Sequence, residues 1–270
     1  MKKSILLIVF IGYLLSAQAA SVDTVWVESK AMKQSFKCVV IVPSFSGTHR
    51  FPVTYLLHGY SGWYSNWIIR MPELKEEADQ YQMIIVCPEG KNSWYIDSPI
   101  NDSIRFETYI AKELTAYIDA HYPTQSNRQS RAITGLSMGG HGGLYIGLRN
   151  TAIFGACGSM SGGVDIGYAK NSWELPRLLG DSVNHAQNWK DYSVYYLIEK
   201  GLPDSLSIII DCGTEDFFAG INEKLHQKML ALKIPHEFIS RPGKHEWNYW
   251  RNAVRFQLLF FHRYFLKATP

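Results

Sequence analysis

The sequence predicts an α/β protein built on a mostly parallel sheet of about eight strands, with helices on both faces. Three observations carry that expectation. Short apolar runs alternate with longer amphipathic ones along all 270 residues, the pattern of repeated βαβ units. Several short runs are continuous in Ile, Val and Leu, as in strands covered on both faces. No repeat, low-complexity tract or Pro/Ser-rich linker divides the chain, and 46% hydrophobic with 19% charged residues suits a folded domain with a sizeable core.

In chain order, Lys2 and Lys3 precede an apolar run from Ile5 to Leu15, and Ala17-Gln18-Ala19 places small residues where a signal peptidase reads. Residues 1–19 are therefore expected to be an export leader. The run is too short to cross a bilayer, and no Cys follows it to carry a lipid. Residues 20–270 then form one domain, expected in the periplasm or outside the cell. Its charged residues number 25 basic against 24 acidic once Lys2 and Lys3 are gone. A surface so nearly neutral offers nothing to attract nucleic acid.

Strands are expected at Thr24–Val27, Ser35–Val42, Val53–Leu57, Met83–Cys87, Arg131–Thr134, Ala156–Met160, Ser207–Asp211 and Glu237–Ser240. The opening ones lack intervening helices and are expected to form an antiparallel edge. Helices are expected at Glu73–Tyr81, Ser103–Ala120, His141–Arg149, Gly220–Leu232 and Trp247–Leu266; in the second, Phe106, Ile110, Leu114 and Tyr117 recur at helical spacing. Over forty residues, 162–205, separate the sixth strand from the seventh. They form either a small cap beside the site or a pair of surface helices. Cys38, Cys87, Cys157 and Cys212 are scattered within or beside apolar runs and read as buried thiols, with one bridge between neighbouring strands as the alternative. No His or Cys has a partner at zinc spacing, so no metal is expected.

Chemistry enters at Gly135-Leu-Ser-Met-Gly139, a G-x-S-x-G pattern directly after a predicted strand and directly before a predicted helix. That context is what a nucleophile elbow requires, with the Ser137 hydroxyl lifted above the end of the sheet. A serine nucleophile needs a base, and the base needs a carboxylate. His245 follows the turn closing the last strand. Asp216 follows the seventh strand through a glycine turn, with Glu215 and Asp211 as competitors for the acid. His226, His236 and His262 lie in or beside helices or before a strand, where packing roles are ordinary. Backbone N–H groups of Met138 and of Tyr60, in the His58-Gly59-Tyr60 turn after the third strand, are the expected oxyanion donors. Trp63, Trp94 and Trp247 fall on loops at the same edge and are expected to line the substrate site.

Tyr-Leu-Leu-His-Gly-Tyr-Ser-Gly (55–62), Gly-Leu-Ser-Met-Gly-Gly-His-Gly-Gly (135–143), Cys-Gly-Thr-Glu-Asp-Phe (212–217) and Gly-Lys-His-Glu-Trp (243–247) occur in order. Together they resemble the putative esterase, or esterase D, family of α/β hydrolases. The resemblance implies Ser137 as nucleophile, Asp216 as acid, His245 as base, and Tyr60 with Met138 as oxyanion donors. It implies hydrolysis of carboxylic esters through an acyl-enzyme, with no cofactor. Leu136 stands where S-formylglutathione hydrolases of the family carry His, and His58 where mycolyltransferases carry Asp. What remains resembles secreted esterases of acylated polysaccharide, feruloyl or acetyl esters leading. Acyl transfer by the same residues is one alternative, and a non-catalytic carbohydrate-binding protein on this scaffold is another.

Overall fold

The computed structural model describes residues 19–45, 48–201 and 206–268. The expected leader lies outside them except for Ala19, and so do the last four residues of the 162–205 segment. Eight strands form one sheet: β1 (Ser21–Ser29), β2 (Gln34–Val42), β3 (Val53–Leu57), β4 (Ile84–Pro88), β5 (Arg131–Gly135), β6 (Ala156–Met160), β7 (Ser207–Gly213) and β8 (Glu237–Arg241). Their spatial order is β1-β2-β4-β3-β5-β6-β7-β8. β1, β2 and β4 pair antiparallel; every pairing from β4 to β8 is parallel. All eight expected strands are present, with the antiparallel edge where it was expected.

Strands β3 to β6 are buried at every position, which explains the unbroken apolar run of β4. One face packs under α3 (Phe106–Thr108), a π-helical segment Tyr109–Leu114 and α4 (Thr115–His121), together with α5 (Met138–Arg149) and α9 (Ala219–Ala231). The other packs under α1 (Asn66–Arg70), α2 (Leu74–Tyr81) and α10 (Trp247–Ala268). The helix expected over Ser103–Ala120 is thus interrupted by a wider turn. Phe106, Ile110 and Leu114 are buried as its spacing predicts, but past the π segment Ile118 is fully buried while Tyr117 packs against the core only half-buried. Residues 162–201 fold into α6 (Leu175–Leu179), α7 (Ala186–Asp191), α8 (Val194–Leu197) and short 3-10 turns.

All four cysteines are free, buried thiols, and burial pushes each above the usual thiol range. Cys38 and Cys87 sit on the adjacent strands β2 and β4, yet Cys87 stands opposite Val39. A one-residue offset turns the two side chains to opposite faces of the sheet, so the bridge between neighbouring strands does not form.

Candidate active site

The parallel strands end at one edge, and the loops that leave it carry the site. Ser137 follows β5 at the centre of the sheet with φ 55° and ψ −115°, a conformation rarely adopted by a side-chain-bearing residue. Two glycines make the turn feasible. A Cβ on Gly135 would meet the Leu57 and Gly139 carbonyl oxygens at 2.6 Å, and one on Gly139 those of His58 and Leu57 at 2.6 Å. The Ser137 N–H donates to Met160 O at 2.9 Å, tying the elbow to β6.

His245 Nε2 lies 2.9 Å from Ser137 Oγ, and its Nδ1 lies 2.8 and 3.0 Å from the two Asp216 carboxylate oxygens. Asp216 is buried and also accepts the Phe218 N–H at 2.8 Å. Ser137 and His245 are half-buried and border a cleft of about 330 Å³. Three side chains separated by up to 108 positions therefore meet in one hydrogen-bonded line. The competitors stand elsewhere. Asp211 is fully buried against Arg241 and the Tyr249 hydroxyl, Glu215 is exposed, His236 pairs with His226, and His262 faces the Tyr81 carbonyl.

Met138 N–H opens α5 and so has no partner within its own helix. Tyr60 N–H makes no hydrogen bond among the described residues. Both follow glycine-containing turns beside Ser137, and Tyr60 lines the cleft. Trp63, Trp94 and Trp247 line it as well, in different ways. Trp63 is 45% exposed at the rim, whereas Trp94 is buried and donates its indole N–H to Trp173 O at 3.1 Å. Trp247 packs edge-on against Trp67 and Trp250. Trp67, four residues after Trp63, and Tyr95, beside Trp94, are turned wholly inward.

Trp173, Phe217 and Phe218 complete the walls, and the motif reading did not single them out. Trp173 lies near-parallel to Phe217, 6.2 Å between centroids, and Phe217 covers the His245 ring at 4.2 Å. Their adjacency to Asp216 could have flagged the two phenylalanines. Nothing local marks Trp173, which reaches the cleft because Glu174 beside it accepts from Tyr60 Oη at 3.1 Å and from Asn92 Nδ2 at 3.1 Å. The Asn92 amide, with further donors from Tyr60 and Arg177, holds the Glu174 carboxyl below its ordinary range.

His141, on the first turn of α5, is fully buried between the Tyr192 and Trp94 carbonyls. Burial pushes it down to about 4, against the support those carbonyls give the charged ring. Between about pH 6.5 and 4 the unfolded chain therefore binds a proton that the folded chain refuses. Stability is expected to fall as pH drops through that window, by about 3 kcal/mol from this group at roughly 1.4 kcal/mol per unit. Urea unfolding at pH 7 and 4.5 measures this, and His141→Gln should flatten the dependence.

Among the described residues no cluster of three metal-ligating side chains occurs, and no helix is long and apolar enough to cross a membrane. The family model called Putative esterase matches residues 29–261. An acetyl esterase of Caldicellulosiruptor saccharolyticus is 25% identical over 248 residues, covering 84% of this chain and 92% of its own. An S-formylglutathione hydrolase of Bos taurus is 24% identical over 241 residues, covering 80% and 84%. A solved ferulic acid esterase superposes with a TM-score of 0.79 at 29% identity, over 92% of this chain and 99% of that one.

Proposed function

The chain belongs to the putative esterase family and is an esterase of α/β-hydrolase fold, and on that premise we propose that it is exported and removes feruloyl or acetyl groups from carbohydrate. The observation that carries the chemistry is the Ser137–His245–Asp216 line, whose Ser137 and His245 border an aromatic cleft. Ser137 Oγ attacks the ester carbonyl while His245 Nε2 takes its proton and Asp216 orients and stabilises the imidazolium. The oxyanion is received by the Tyr60 and Met138 N–H groups. Collapse expels the alcohol, protonated by His245. Water, deprotonated by the same ring, then releases the acid.

The walls of the cleft support this reading of the substrate. At about 330 Å³ the cleft is at the small end of ordinary ligand sites, which suits one planar ring or a short acyl chain. Trp63, Trp173 and Phe217 offer the flat faces to which a ferulate or a pyranose would pack. The acetyl esterase and ferulic acid esterase relatives support the same two acyl groups. The deciding measurement is kcat/KM across acetyl, butyryl and feruloyl esters, each as p-nitrophenyl or methyl ester and as a xylo-oligosaccharide ester. Acetyl or feruloyl xylo-oligosaccharides should exceed butyrates by about tenfold or more. A preference for S-formylglutathione over all of them would overturn the substrate class, and an exported form whose mass does not begin at Ala20 would overturn the leader.

A further inference from the structure

We infer that His58 is a positioning residue that aims the Tyr60 N–H into the oxyanion site by holding the carbonyl of the same peptide. This rests on the reading of Tyr60 as an oxyanion donor. His58 is buried, 1% exposed, and its Nδ1 lies 2.8 Å from the Gly59 carbonyl oxygen. Its Nε2 lies 2.9 Å from the Gly90 amide nitrogen. An amide N–H can only donate, so Nε2 accepts and the ring proton sits on Nδ1, where it donates to Gly59 O. Glu89 Oε1 is 3.4 Å from Nε2.

The consequence follows from the peptide plane. In a trans peptide the C=O of Gly59 and the N–H of Tyr60 point in opposite directions. The carbonyl is drawn inward by two donors, His58 Nδ1–H and the Gly62 N–H at 3.0 Å. The Tyr60 N–H must then point outward, to the cleft that Gly59, Tyr60 and Ser137 share. The two preceding peptides are held as well, because the Tyr95 hydroxyl accepts the His58 N–H at 3.0 Å and donates to His58 O at 3.1 Å. Donation to its carbonyl also polarises the Gly59–Tyr60 amide and strengthens it as a donor. Neither His58 nor Tyr95 lines the cleft.

Two amide replacements separate this role from mere packing. Asn places its amide nitrogen where Nδ1 stands and keeps the bond to Gly59 O. Gln reaches the Nε2 position, keeps an acceptor for Gly90 N–H, and abandons Gly59. With p-nitrophenyl acetate, His58→Asn should keep kcat within about fivefold of wild type, whereas His58→Gln should lose about 10–100-fold in kcat with little change in KM, part of the cost of deleting one oxyanion donor. Equal losses, or the reverse order, would overturn the assignment. Nitrogen-15 spectra of the wild-type ring are the companion measurement, independent of whether the variants fold. A proton on Nδ1 is required, and a bare Nδ1 overturns the proposal. Ser137→Ala run in parallel keeps the two readings apart: if it stays active the site itself is misread, and if it is dead while His58→Gln is not, only His58 is.

Discussion

Ser137→Ala is expected to lower kcat on p-nitrophenyl acetate and methyl ferulate by about 10⁴-fold or more, while leaving the fold intact. The size follows from covalent catalysis, since without Oγ no acyl-enzyme forms, and only the oxyanion donors and the cleft remain to assist direct attack by water. Intactness follows from the site: the change removes one half-buried hydroxyl whose protein partner is His245. The elbow depends on Gly135 and Gly139 and on the Ser137 N–H bond to Met160 O, none of which the variant alters. Unfolding free energy should therefore stay within about 1 kcal/mol of wild type. A fluorophosphonate probe should label the native protein at residue 137 and fail on the variant. Hydrolysis persisting within about tenfold of wild type would place the nucleophile elsewhere.

The parts of this molecule that could be read without coordinates are those in which one local rule dominates. β3 and β6, buried on both faces, emerged with their boundaries unchanged, whereas β4 and β5, equally buried, moved by a residue at one or both ends. The elbow was legible because a strained serine at a strand-to-helix turn demands glycine at two fixed places. Where several local solutions are equivalent, sequence stops. Asp211, Glu215 and Asp216 all follow or end an apolar strand; only the packing of Arg241 and Tyr249 onto Asp211 and the exposure of Glu215 separate them. Loop aromatics have no periodicity to reveal their direction. Trp67 sends its indole N–H to the Leu57 carbonyl and Tyr95 its hydroxyl to His58, while Trp63 stands at the rim. Trp173 was invisible for a different reason. Its place in the wall depends on Glu174 bonding to Tyr60 and Asn92, residues 114 and 82 positions away. The π segment of Tyr109–Leu114 likewise adds a residue to a turn without any change in composition.

Asp216→Asn should cost nearly as much as loss of the nucleophile, about 10⁴-fold in kcat, through a tautomer and with no change of shape. In the native site both carboxylate oxygens lie within 3.0 Å of His245 Nδ1, so the ring carries its proton on Nδ1 and presents a bare Nε2 to Ser137. Oδ1 is also committed to the Phe218 N–H at 2.8 Å. An Asn side chain has a single oxygen, and the buried Phe218 N–H, which can only donate, will claim it. The amide nitrogen then faces Nδ1 as a donor, the imidazole proton moves to Nε2, and the base arrives at Ser137 already protonated. Asp216→Ala leaves Nδ1 free to keep its proton and should therefore be no worse than the isosteric change, although it removes more atoms. The ordering of the two variants, with nitrogen-15 spectra locating the ring proton, tests the relay more sharply than either loss alone. Should Asp216→Asn keep a tenth or more of wild-type kcat, the carboxylate serving His245 would have to be another, and exposed Glu215, one residue away, would be the group to change next.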